Sequence, residues 1–275
     1  MTGDREAPPV HIFADTGGAL SDLRDSAEVA GCRIVSASPV GDDIDPSAIA
    51  LPGAAVLIAL AGEEPAPSAL PLLDWAMAEA GARRCVISAP DAMIDLVAAR
   101  AWHPDIAHLC RPSADERVAA IAWACARPGS RLHDSRRERA FPVLHPLPEA
   151  GASIPRPRAA HADAGFIRTL LRTRRLRTHF FRSDLFADPA WDMLLDLMAA
   201  RLEGKQVAVS SLCIAAAVPP TTALRWIGVL TEGGLVARVA DRNDGRRVYI
   251  ELAEPTARAL TAWLDEARRM LGEVC

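Results

Sequence analysis

Two periods of apolar positions alternate along the first 126 residues. Short apolar runs at Val10–Ala14, Cys32–Ser36, Ala54–Leu60, Cys85–Ser88 and Ile106–Cys110 read as strands. Between them, apolar residues recur at helical spacing in Leu20–Ala30, Ala69–Ala80, Ala92–Ala101 and Asp115–Ala126. Ala54–Leu60 is apolar at every position, as expected of a strand covered on both faces of its sheet. Gly31 and Gly81 stop two of the helices, and Pro128-Gly129 follows the last. Strands alternating with helices predict a doubly wound, five-stranded parallel α/β domain over residues 1–126.

The pattern then breaks. Residues 127–162 carry prolines at 128, 142, 146, 148, 155 and 157, many arginines and no sustained period. They read as an extended linker. A third region, residues 163–275, opens with a helix over Asp163–Phe181 that carries Arg168, Arg172, Arg174, Arg175 and Arg177. Pro189–Leu202 is a helix with Asp188 as its cap and Pro189 at its first position. Ser210 and Ser211 are expected to cap a short helix, Leu212–Ala217, followed by a Val218-Pro219-Pro220 turn. A second helix is expected to start at Thr221 or Thr222 and to stop at Gly233-Gly234. Leu235–Val239 and Arg247–Leu252 read as paired strands around the polar tip Asp241–Arg246, which has Asp-Gly turn chemistry. Pro255–Leu271 is a terminal helix.

Helix, helix, turn, helix and hairpin is the element order of a winged helix-turn-helix. Such a module places the N-terminal residues of its second helix against base edges in the major groove of double-stranded DNA. Those residues are Thr221, Thr222 and Arg225, while Leu224, Ile227 and Leu230 fall on the inward face. Arginine suits bidentate contact with guanine, and threonine hydroxyls suit phosphates or bases. Arg242, Arg246 and Arg247 on the hairpin are placed to reach a minor groove or phosphates.

Charge narrows this picture. Residues 1–126 hold 8 basic and 18 acidic side chains, whereas 127–182 hold 13 basic and 4 acidic. Residues 183–275 come to −3, so the DNA-binding reading rests on a few placed arginines and not on a basic module. Arg172 and Arg175, on the preceding helix, are added as phosphate contacts; a solvated face or contact with the acidic N-terminal domain are the other roles open to that cluster. Lys205 is the only lysine among 31 basic residues, a bias that reads as gene composition rather than nucleic-acid chemistry.

Six cysteines at 32, 85, 110, 125, 213 and 275 form no C-x-x-C and read as reduced core residues. The seven histidines are scattered, and no nucleophile elbow, P-loop or dinucleotide fingerprint is present. The expectation is therefore a protein that is not an enzyme, with no cofactor and no metal. The N-terminus lacks a charged-then-apolar signal pattern, and no apolar run approaches membrane-spanning length, so a cytoplasmic, non-membrane location is expected.

The stretch SSLCIAAAVPPTTALRWIGVLTEGGLVARVADRNDGRRVYIEL resembles the DNA-binding core of MarR-type transcriptional regulators. The match is strongest at Leu230–Val236 and in the wing, Asp241 to Arg247. The resemblance implies that Asp244 and Arg246 fix the hairpin and meet DNA. It also implies a homodimer formed by the terminal helices, here Asp163–Phe181 and Pro255–Leu271. The double proline at 219–220 departs from the family pattern.

The N-terminal domain resembles a response-regulator receiver in degenerate form. The resemblance implies a pocket remnant at Asp15, Ser88 and Arg111. Asp15 stands without its usual acidic neighbour, and the phosphoacceptor position falls on Ala59 or Ala61. Ser88-Ala89 and Arg111-Pro112 match the two later motifs, with arginine in place of lysine. The expectation is a receiver-like module unable to accept phosphate, which serves dimerisation or a protein partner. Two other readings stay open: an adaptor whose winged helix does not bind DNA, and a small-molecule ligand near Asp15, Ser88 and Arg111.

Overall fold

All five apolar runs of the N-terminal region pair into one parallel sheet. The computed structural model describes residues 7–40, 51, 53–126, 163–181 and 188–272. Its strands are β1 (Pro9–Ala14), β2 (Arg33–Pro39), β3 (Ala55–Ala59), β4 (Cys85–Ala89) and β5 (Ile106–Cys110), in the order β2-β1-β3-β4-β5. The order of strands reverses at β1, next to β3, which leaves a crevice at their C-terminal ends. Among the described residues four helices accompany them: α1 (Gly17–Val29), α2 (Ala69–Ala78), α3 (Ile94–Arg100) and α4 (Ala114–Cys125).

The side chains of β3 explain its unbroken apolar run. Val56 and Ile58 pack with Leu72, Leu73 and Leu96 from α2 and α3 on one face. Ala55, Leu57 and Ala59 pack with Leu23, Ala27 and Ile121 from α1 and α4 on the other. Helix ends follow local chemistry. Ser113 caps α4 in a reciprocal box with Glu116, so the helix starts at Ala114, one residue before the start expected from periodicity. The helix expected over Ala92–Ala101 begins with a single tight turn, Asp91–Met93, before α3.

The chain divides into two compact units, Met1–Val143 and Leu144–Cys275. The linker reading of 127–162 lies outside the described residues.

The second unit contains α5 (Ala164–Leu176), α6 (Pro189–Leu202), β6 (Val207–Ala208), α7 (Val209–Ala215), α8 (Pro220–Glu232), β7 (Val236–Ala240), β8 (Val248–Leu252) and α9 (Glu254–Gly272). Helix α5 is shorter than the expected Asp163–Phe181, and a single tight turn, Arg177–His179, follows it. Strands β7 and β8 form the expected hairpin, and β6 pairs with β8 to make a three-stranded antiparallel sheet. Asp188 caps α6 by accepting from the Trp191 N–H at 3.3 Å, with Pro189 at the first helical position as expected. The starts of α7 and α8 differ from expectation. Ala208, not a serine, stands at the cap of α7, so Ser210 and Ser211 lie inside its first turn. Helix α8 begins at Pro220, with Pro219 as its cap, one residue or more before the threonines. At that position the missing proline N–H has no intrahelical acceptor to lose.

By this order of elements, α7-turn-α8 followed by the β7-β8 hairpin is a winged helix-turn-helix. Among the described residues no single helix is long and apolar enough to cross a membrane.

Candidate nucleic-acid interface

Helix α8 is anchored by one apolar stripe. Ala223, Leu224, Ile227 and Leu230 are buried at helical spacing, and each large member contributes roughly 1.5–3 kcal/mol. That anchor leaves Arg225 on the exposed face, with Thr221, Thr222 and Trp226 half-buried. Trp226, which periodicity leaves open to either side, thus lies between the two faces. The turn before α8 is tightly specified. Ala217 adopts a left-handed conformation (φ 53°), and the Pro219-Pro220 pair follows directly. At the other end, Gly234 (φ 67°) makes the left-handed step into β7, which a side chain would strain.

The wing is held by two aspartates. Asp244 Oδ1 accepts the Arg246 N–H at 2.9 Å, and Asp241 Oδ1 accepts the Asn243 N–H at 2.8 Å. Asp241 Oδ2 also accepts the Tyr249 hydroxyl at 2.8 Å. The Asn243 N–H and the Tyr249 hydroxyl hold the Asp241 carboxyl below its ordinary range. The same bond pushes the Tyr249 phenol above its ordinary value of 10. Arg242, Arg246 and Arg247 are exposed on this tip, and Arg247 Nε lies 3.5 Å from Asp244 Oδ2. Asp244 therefore shapes the turn and faces the arginines. The Asp241–Tyr249 bond was not foreseeable from local spacing, because register across the hairpin brings the two together.

The arginines of α5 separate into different roles. Arg168 pairs with Asp196 and, at 3.1 Å, with Glu203, both on or next to α6. Arg168, with Lys205, holds the Glu203 carboxyl down to about 2. Arg174 Nε reaches Asp192 at 2.6 Å; that carboxylate is only 8% exposed. Arg175 donates to the Ala215 carbonyl at 3.1 Å, at the end of α7. Arg172 lies exposed, with its Nε on the Arg168 carbonyl at 3.2 Å. Much of the basic cluster thus docks α5 onto its own unit. Helix α9 meets the same body. Trp263 packs edge-on to Trp191 of α6 at 4.7 Å, and Arg268 lies over the Phe166 ring of α5 at 5.7 Å. Leu176, Phe180, Trp263, Met270 and Leu271 remain exposed on or beside these terminal helices.

In the N-terminal unit the three expected pocket residues stand around the C-terminal ends of the strands: Ser88 and Arg111 line a cleft that Ala61 also lines, and Asp15 bonds to Ala61. The Asp15 carboxylate accepts the Ala61 N–H at 2.8 Å and the Gly62 N–H at 3.0 Å, so it holds the loop after β3. Ser88 and Arg111 line a cleft of about 300 Å³ at the C-terminal ends of β3, β4 and β5, together with Asp22, Glu63 and Arg117. Arg111 pairs with Asp91 at 3.1 Å, and Arg117 donates to Ser26 and to the Pro112 carbonyl. Ala59, at the end of β3, is buried and offers no carboxylate.

No protein-family model and no curated protein sequence matches the chain. Several solved structures are similar to part of the chain. A transcriptional regulator of Thermotoga maritima shares 14% identity over 40% of this chain and 75% of that one, with a TM-score of 0.28. The adhesin competence repressor of Streptococcus pyogenes shares 20% identity over 40% and 79%, with a TM-score of 0.26. The heme sensor protein PefR of Streptococcus agalactiae, solved with heme, shares 15% identity over 38% and 78%, with a TM-score of 0.25. Similarity at this level carries no weight for function, which rests on the geometry described above.

Proposed function

We propose that this chain is a DNA-binding transcriptional regulator and has no catalytic role. One observation carries the reading. Helix α8 buries Leu224, Ile227 and Leu230 while presenting Arg225, and the adjoining hairpin displays Arg242, Arg246 and Arg247 on a tip braced by Asp241 and Asp244. A groove-sized helix next to a cationic ribbon fits double-stranded DNA. Thr221 and Thr222 sit at the end of α8 that meets base edges, and Arg172 and Arg175 are assigned to phosphates.

The regulator acts as a homodimer through its terminal helices, whose exposed apolar residues favour a partner surface. A two-fold dimer binds a palindromic site with half-sites about one helical turn, ~34 Å, apart. The N-terminal unit is a receiver-like module for dimerisation or a protein partner. The β2-β1-β3-β4-β5 order supports that reading, and Ala59 at the end of β3 leaves no phosphoacceptor. The protein acts in the cytoplasm.

The deciding experiment is fluorescence anisotropy on promoter-length duplexes over a salt series. The expected result is an affinity whose logarithm falls linearly with the logarithm of salt, as phosphate contacts release counterions. A protein-interaction adaptor, the reading favoured by the −3 charge of 183–275, shows no salt-sensitive duplex binding.

A further inference from the structure

Two cysteines far apart in sequence meet in the N-terminal unit. Cys32 stands in the α1–β2 turn, directly after Gly31, and Cys125 is the last residue of α4. Their sulfurs are 3.4 Å apart, and both residues are only partly buried. A disulfide needs about 2.05 Å, so closing it requires the sulfurs to approach by about 1.4 Å. We propose that Cys32 and Cys125 form a reversible thiol–disulfide modification site whose oxidant is a hydroperoxide.

The environment assigns the roles. The two sulfurs share a hydrogen bond in which either thiol can donate, and that contact lowers the Cys32 pKa and raises that of Cys125. Cys32 is the attacking thiolate and Cys125 the resolving thiol. The Cys32 sulfur attacks the peroxide oxygen and the O–O bond breaks. The leaving oxygen takes a proton to give an alcohol or water, and Cys32 becomes a sulfenic acid. The Cys125 sulfur then attacks the Cys32 sulfur and water leaves. Two thiols supply two electrons and the peroxide accepts them. The other described cysteines are placed differently. Cys85, Cys110 and Cys213 are buried, and burial pushes the Cys85 thiol up to about 12.

The bond ties the last turn of α4 to the α1–β2 turn, across 93 positions of sequence. A loop of that length predicts a rise in Tm of roughly 10–20 °C on oxidation.

The test treats the full-length protein with one equivalent of hydrogen peroxide and maps peptides without reduction. The expected product is a monomer carrying the Cys32–Cys125 crosslink, with the Tm rise reversed by dithiothreitol. Cys125→Ser is expected to leave a sulfenic acid at Cys32 that dimedone traps, and Cys32→Ser is expected to prevent the crosslink. The proposal is overturned by unmodified thiols, by over-oxidation of Cys32 without a crosslink, or by bonds that join other cysteines. The parent protein alone decides this, whatever the stability of the variants.

Discussion

The Tyr249 hydroxyl donates to Asp241 Oδ2 at 2.8 Å and so ties β8 to the turn that carries Arg242 and Arg246. Tyr249 is the only tyrosine in the chain, so ultraviolet difference titration reads it alone. Its native midpoint is expected above 10, because ionising the phenol breaks the bond and sets two negative charges together. A group raised in the folded state contributes stability below its unfolded value, and that contribution fades as pH climbs past 10. Asp241→Asn should return the midpoint toward 10. An unshifted midpoint in the folded parent would show that the bond does not form.

Arg225 and Arg246 should fail differently. Replacing Arg225 with alanine is expected to cost roughly 1–3 kcal/mol of binding and to relax base preference, as loss of a base-edge contact does. Arg246→Ala is expected to weaken binding to all duplexes alike and to flatten the salt slope. Competition anisotropy with specific and random duplexes separates the two. If Arg246→Ala matches the parent at equal salt, the wing does not touch DNA.

On α5, Arg174 and Arg172 divide structure from binding. Arg174→Ala leaves the buried Asp192 carboxylate without its 2.6 Å partner and should cost the C-terminal unit about 2–3 kcal/mol. Arg172→Ala is expected to stay within about 0.5 kcal/mol in stability while lowering duplex affinity. Denaturant unfolding and anisotropy on both variants test this pair. Equal stabilities would mean that Arg174 is not holding α5 in place.

His11 supplies an acid-side dependence. It is 4% exposed in β1, its Nδ1 lies 2.8 Å from Ser36 Oγ, and its Nε2 has no partner among the described residues. Burial, assisted by Arg83, lowers its pKa below 6.5, so the unfolded chain binds the proton first. Its contribution is therefore fully present above pH 6.5 and is lost as pH falls through the depressed folded value, by at most about 1.4 kcal/mol per pH unit. Comparing the pH dependence of unfolding in the parent and in His11→Phe isolates it. Parallel profiles below pH 6.5 would refute the assignment.

What the sequence determined by itself is everything that depends on period and local chemistry. The five strands, the burial of Leu224, Ile227 and Leu230, and the Asp-Gly tip of the wing each follow from residues within one element or one turn. Their energies are local, or they point at whatever core is nearest. The tertiary structure decided what depends on which distant residues meet. It placed Arg168 and Arg174 against Asp196, Glu203 and Asp192, because α5 and α6 pack face to face. It turned Asp15 onto the Ala61 and Gly62 amides, beside the cleft that Ser88 and Arg111 line. It brought Cys32 to Cys125, two residues that read as unrelated core thiols in one dimension. Side-chain partners across elements are set by register and packing angle, and neither is written in the spacing of residues along a single strand or helix.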